Sequence, residues 1–190
     1  MRVAISGTHC SGKSTLIDEF LLAHPDFAHE PEPYMVLSDD YGEAFAAQPS
    51  AEDFYRQLEF NVDRLRSYEA GDLVMFERCP VDFLAYMIAL RDLGRDTYAT
   101  QVIESSLDIV IGALTHLDVI VFLPINGFDS NAGSGAEDLE LRTAVDDRLA
   151  DLLKDDDLNL FASSQPSVVE VNGSTAQRLQ MVERALRIPS

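Results

Sequence analysis

The sequence predicts an α/β fold in which a five-stranded parallel sheet carries helices on both faces. Three observations lead there. Short apolar runs alternate with longer stretches of helical periodicity along the chain. The runs, VMF and VIVFL among them, are apolar at successive positions, as strands covered on both faces must be. A glycine-spaced stretch, GTHCSGKS, lies between the first apolar run and the first helical one.

The elements come in this order. Met1–Ser6 reads as a buried strand. From about Lys13 to Ala23, Leu16, Ile17, Phe20 and Leu21 share one helical face. HPDFAHEPEPY is broken by prolines and holds a brief second strand ending near Glu30. Ala51–Ala70 is helical, with Phe54, Leu58, Val62 and Leu65 as its apolar stripe and Gly71 as its stop. Asp72–Glu77 is a strand. A helix begins at Pro80, a residue tolerated in a first turn. Thr97–Leu114 is a long helix and Asp118–Ile125 a strand. NGFDSNAGSGAED has little to bury and reads as a mobile loop before the helical LELRTAVDDRLADLLKDD. Ser167–Val171 is the last strand and Ser174–Leu186 the last helix. No repeat or linker divides the 190 residues, so one domain spanning 1–190 is expected.

Composition narrows the function. With 46% hydrophobic and 25% charged residues the chain is globular. A net charge of −19 repels nucleic acid and anionic lipid, so neither is an expected partner. No apolar run is long enough to span a bilayer, and no charged-then-apolar leader opens the chain. Cys10 and Cys79 form neither a disulfide framework nor a zinc pattern, and the four histidines show no metal spacing. The expected compartment is the cytoplasm.

Against that acidity, one of only two lysines stands at the end of the glycine turn. Gly7 to Ser14 matches G-x-x-x-x-G-K-[ST], preceded by a strand and followed by a helix. Such glycines let successive N–H groups point at phosphate oxygens, and the helix adds its positive end. Gly7, His9, Cys10, Ser11, Gly12 and Lys13 are therefore candidate nucleotide-binding residues, with Thr15 a secondary phosphate contact. Lys13 would reach the β- and γ-phosphates, and the Ser14 hydroxyl would ligate Mg²⁺. Neither N-K-x-D, the guanine-switch signature, nor a transporter signature like L-S-G-G-Q is present.

A second informative stretch, MFERCPVDFLAY, spans the end of the third strand and the start of the next helix. With the phosphate loop, EPEPY after the second strand, an arginine-bearing helix near 142 and a final VVEVNGS, the chain resembles deoxyribonucleoside and nucleotide kinases. It is more similar still to the broad group of small P-loop ATPases that includes nicotinamide riboside kinase domains. The resemblance runs through most of the chain in order. It implies a P-loop NTPase three-layer sandwich with a lid at about 126–150. It also implies ATP and Mg²⁺ as cofactors, and phosphoryl transfer to a nucleoside, nucleotide or pyridine nucleoside.

The resemblance also assigns roles. A carboxylate after the second strand takes the acceptor's proton, and Glu30 and Glu32 compete for it. Glu32 is favoured because the family's Glu-Pro precedes a helix. Glu77 would hold metal-bound water, and Arg78 the substrate or the transferring phosphoryl group. The family often continues with serine, where this chain has Cys79. Beside the apolar stripe of the 51–70 helix run Gln57, Asn61 and Arg64. Gln57 would read the substrate, unless this is a solvated face. Tyr34, closing EPEPY, joins Glu32, Gln57 and Arg78 as a substrate-binding candidate. Arg142, the better candidate, with Arg148 second, would bring charge to the transition state, although either could instead pair with Asp138, Glu140, Asp146 or Asp147.

Three further expectations stand beside these. Cys10 and Cys79 lie near neighbouring strand ends, which suggests a redox switch or simply small side chains in tight turns. The 97–114 helix offers a face to a second copy, as in a homodimer. The alternatives to a kinase are an ATP-binding regulatory P-loop ATPase and a module of a toxin system or larger complex.

Overall fold

The computed structural model describes residues 1–46, 48–125, 138–161 and 166–188. Five parallel strands form one sheet: β1 (Arg2–Ser6), β2 (Ala28–Glu30), β3 (Val74–Glu77), β4 (Val119–Phe122) and β5 (Ser167–Glu170). Their order is β2-β3-β1-β4-β5. The phosphate loop thus leaves the central strand, between the carboxyl ends of β3 and β4, where the order of connection reverses.

Strand alternation sorts the core into two layers. Ala4, Phe76 and Phe122 face α3 (Ala51–Arg66), α4 (Pro80–Asp92), α5 (Ala99–Leu114) and α6 (Leu139–Ala150). Val3, Met75 and Val121 face α1 (Lys13–Ala23) and α7 (Thr175–Leu186). The expected three-layer α/β sandwich is what forms.

α4 is the central helix of the larger layer. Every residue from Pro80 to Leu90 is buried, and α3, α5 and α6 surround it. That explains its sequence, which is apolar all round rather than along a stripe. α3 is the opposite case. It starts from Ser50 and Asp53 in a capping box, and its acidic first turn and basic last turn complement the helix dipole.

Two local features add to the expected elements. The proline-broken EPEPY opens a short helix, α2 (Pro33–Asp39), because Pro33 occupies the first helical position, where no N–H is needed. The helix after 138 ends in a π-helical turn, Asp151–Asp155. Of the lid expected at 126–150, residues 126–137 lie outside the described residues. The remainder is α6, which packs on α4 with Leu141, Val145 and Leu149 buried. No helix among the described residues is long and apolar enough to cross a membrane.

Candidate active site

The loop from Gly7 to Ser14 is built on backbone conformations that side chains resist. At Gly7, φ is +156°, and a Cβ would meet the Leu123 carbonyl and the Ser11 hydroxyl at 2.7 Å each. Gly12 is left-handed (φ 90°) and precedes α1 without any side-chain cap. The N–H groups of the first turn of α1 are thereby left for an anion. Lys13 is buried, and its ammonium donates to the Thr8 carbonyl at 3.1 Å. Burial, with the nearby Arg78 charge, lowers its pKa to about 8, against the pull of Glu32, Asp82 and Glu77. The Ser14 hydroxyl donates to Glu77 Oε1 at 2.8 Å. His9 and Thr15 are exposed on the loop and on the first turn.

Across from the loop stands the end of β3. Arg78 is left-handed (φ 78°), a strained state for a residue with a side chain, and is held from several sides. Its backbone N–H bonds the Ile5 carbonyl, Nε donates to Glu32, and Nη1 donates to the Gly7 carbonyl at 3.2 Å. Nη1 also lies 3.5 Å from Asp82, and the guanidinium sits 5.2 Å from the Tyr86 ring centre. Burial disfavours this charge, but Glu32, Tyr86 and Asp82 outweigh it and raise the Arg78 pKa well above the ordinary value. Burial likewise opposes ionisation of Glu32, and Arg78 and Lys13 overcome it, so its carboxyl stays below the usual range. Glu32 is therefore an anion placed between two cations at the mouth of the loop.

That mouth opens into a cavity of about 470 Å³. His9, Glu32, Arg78 and Arg142 line its inner end, and Gln57 with several aromatic rings lines its walls. Phe54 and Tyr86 stack at 4.5 Å, and Tyr34 and Phe45 meet at 5.0 Å. Gln57 is buried on α3, and its amide nitrogen donates to the Asp53 carbonyl at 3.2 Å. Arg142 is buried, and its Nη2 donates to the Cys10 carbonyl at 3.1 Å. Thr8 returns the contact from the loop through its hydroxyl, which donates to the Arg142 carbonyl at 3.3 Å.

The structure brings most of the expected residues together and leaves several elsewhere. Glu30, the rival of Glu32, is engaged by Arg64 and by the Tyr68 hydroxyl. The polar stripe on α3 is consequently divided: Gln57 and Asn61 are buried, while Arg64 serves Glu30. Arg148 pairs with Asp92 and Asp151, not with the four carboxylates expected from sequence. Cys79 is fully buried at the start of α4, and burial pushes its thiol well up, which disfavours the reactive thiolate.

Three residues of the site escaped the sequence reading. Asp82 is wholly buried and accepts from the Gly7 and Cys79 N–H groups, at 3.0 and 2.9 Å. Tyr86, one turn later, accepts from the His9 N–H at 3.1 Å. Arg178, buried on α7, donates to the Ser11 carbonyl at 2.9 Å. The first two had a signal, since they are polar atoms in a helix otherwise apolar on every face. Arg178 had none, because α7 is an ordinary amphipathic helix with several polar residues.

The chain matches the profile of a family described as an AAA domain over residues 2–178. It belongs to that family. No curated protein sequence matches it. Among solved structures, this AAA-domain chain is similar to deoxyadenosine kinase from M. mycoides with bound dATP. The TM-score is 0.70 at 16% identity, covering 98% of this chain and 100% of that one. Two further structures of that kinase align with it. The one with products dCMP and a flexible dCDP has a TM-score of 0.63 at 15% identity, covering 98% of each chain. The one with bound dCTP has a TM-score of 0.63 at 14% identity, covering 98% and 99%. These likenesses show that the chain shares the fold of that kinase, a parallel five-stranded sheet with helices on both faces.

Proposed function

We propose that this protein is an ATP-dependent kinase that transfers the γ-phosphoryl group to a hydroxyl of a small metabolite, a nucleoside or pyridine nucleoside. One observation carries the reading. The phosphate loop does not face solvent alone: it opens on an aromatic-walled cavity whose inner end holds an ionised Glu32 between Arg78 and Lys13. A regulatory ATPase needs a place for the nucleotide; a second, apolar compartment beside the phosphates suits an acceptor.

Each residue has its part in the transfer. Loop N–H groups and Lys13 bind the polyphosphate, and the cavity holds the acceptor so that its hydroxyl meets the terminal phosphate in line. Glu32 takes the proton from that hydroxyl. Arg78 orients Glu32 and, with Arg142, offsets charge on the transferring group. Gln57 supplies a polar contact in a pocket walled by rings, and Tyr34 closes the outer side. The adjacent hydroxyl and carboxylate of Ser14 and Glu77 are hard oxygen donors of the kind Mg²⁺ takes. Among the described residues no group of three or more His, Cys, Asp or Glu gathers, which fits an ion held chiefly by phosphate and water. When bound there, Mg²⁺ would neutralise phosphate charge.

The test is ATP consumption by the purified protein against nucleosides and pyridine nucleosides, with deoxyadenosine included. Stimulation by one class supports the kinase. Tight ATP binding with no stimulation by any acceptor contradicts it and favours the regulator.

A further inference from the structure

Tyr86 is used by none of the roles above, yet it touches the loop, the cavity wall and Arg78. Its ring stacks on Phe54, forming part of the cavity wall. The same ring lies under the Arg78 guanidinium. Its hydroxyl accepts from the His9 N–H at 3.1 Å. Among the described hydrogen bonds that hydroxyl accepts once and donates to no residue, so its proton is left for a group in the cavity. His9 lines the cavity, whereas the loop residues around Gly12 do not. The His9 stretch is therefore the part of the loop nearest the acceptor. In-line transfer requires the terminal phosphate to lie at that same end.

We propose that Tyr86 is a positioning residue for the terminal phosphate: its hydroxyl fixes the His9 peptide and offers its own proton to the phosphoryl oxygens. The inference rests on the phosphoryl-transfer reading. It concerns the third phosphate only, because the uncapped N–H groups at the start of α1 would take the first two. The neighbouring tie supports this division. Asp82, one turn earlier, is fully buried and is consumed by Gly7 and Cys79, so it anchors the loop without reaching a ligand.

The experiment compares Tyr86→Phe with the wild type in calorimetric titrations of ADP and of the non-hydrolysable ATP analogue AMP-PNP, both with Mg²⁺. Phenylalanine keeps the stack and the contact with Arg78. Loss of one hydrogen bond to a charged group predicts about 10–150-fold weaker AMP-PNP binding with ADP affinity unchanged. Unchanged affinity for both nucleotides, an equal loss for both, or tighter AMP-PNP binding overturns the proposal. Should the variant not fold, amide hydrogen exchange on the wild type carries the test. His9 protection rising with AMP-PNP but not with ADP supports the proposal, and equal protection overturns it. A wild type that binds neither nucleotide contradicts the phosphate-loop reading itself, an outcome distinct from any behaviour of the variant.

Discussion

Lys13 shows how burial tunes the ammonium group of the loop. In the folded protein without nucleotide its pKa is about 8, against an ordinary 10.5. The folded value lies below the unfolded one, so the folded state releases this proton first. Lys13 therefore opposes folding below about pH 8, and the penalty is relieved as pH rises from about 8 toward 10.5. A bound polyphosphate would draw the proton back. Nucleotide affinity is predicted to be flat below about pH 8 and to fall about tenfold per pH unit above it, where binding takes up one proton. Calorimetry in buffers of different ionisation enthalpy reads both. Glu32 makes the complementary case. Glu32→Gln keeps the shape and the Arg78 contact but removes the proposed base, so acceptor-dependent turnover should fall by about 10²–10⁴-fold while nucleotide affinity changes little. Rapid-quench assays beside calorimetry separate the two. At this scale the loop residues were legible because their spacing is fixed by phosphate geometry. The different surroundings of Glu30 and Glu32 needed the structure, because only packing shows that Arg64 and Tyr68 take the first.

Among the elements, α4 carries the most. Its first turn supplies Asp82 to the Gly7 N–H and its second supplies Tyr86 to the His9 N–H, so one buried helix holds the loop through side chains four residues apart. Asp82→Ala strips acceptors from two buried N–H groups and a near partner from Arg78. We expect a loss of about 2–4 kcal/mol in urea unfolding, with Asp82→Asn losing less because it keeps one acceptor oxygen. Equal stability of all three proteins would contradict this account of the loop's support. The strands and α1, α3 and α4 were readable from periodicity because each buries a clear face, or every face. α2 was not, since the prolines around its start break the pattern, and only the resemblance, with Glu-Pro before a helix, pointed to it. Asp82 and Tyr86 went unread because their signal is polarity inside an all-apolar helix, which periodicity does not register.

For the whole molecule the governing quantity is the charge of −19. Buried Lys13, Arg78, Arg142 and Arg178 concentrate positive charge around one loop within that field. At long range the field repels an anionic nucleotide, while at contact the arginines and amides hold it. Raising the salt from about 10 mM to 150 mM, which shortens the screening length from about 30 to 8 Å, should therefore speed association. Stopped-flow measurement of the association rate checks this, and a rate that falls with salt would contradict it. A parallel sheet of five strands covered on both faces was legible from alternation, because parallel strands need crossover helices. The cavity was not, since its walls come from α2, α3, α4 and α6, which are far apart in sequence. The most direct measurement is calorimetric titration of MgATP into the wild type and into Lys13→Met, a change of similar volume that removes the ammonium. The account predicts binding by the wild type and at least a hundredfold loss in the variant, roughly the 3 kcal/mol of a buried charge-assisted contact. Equal affinity in the two proteins would contradict it.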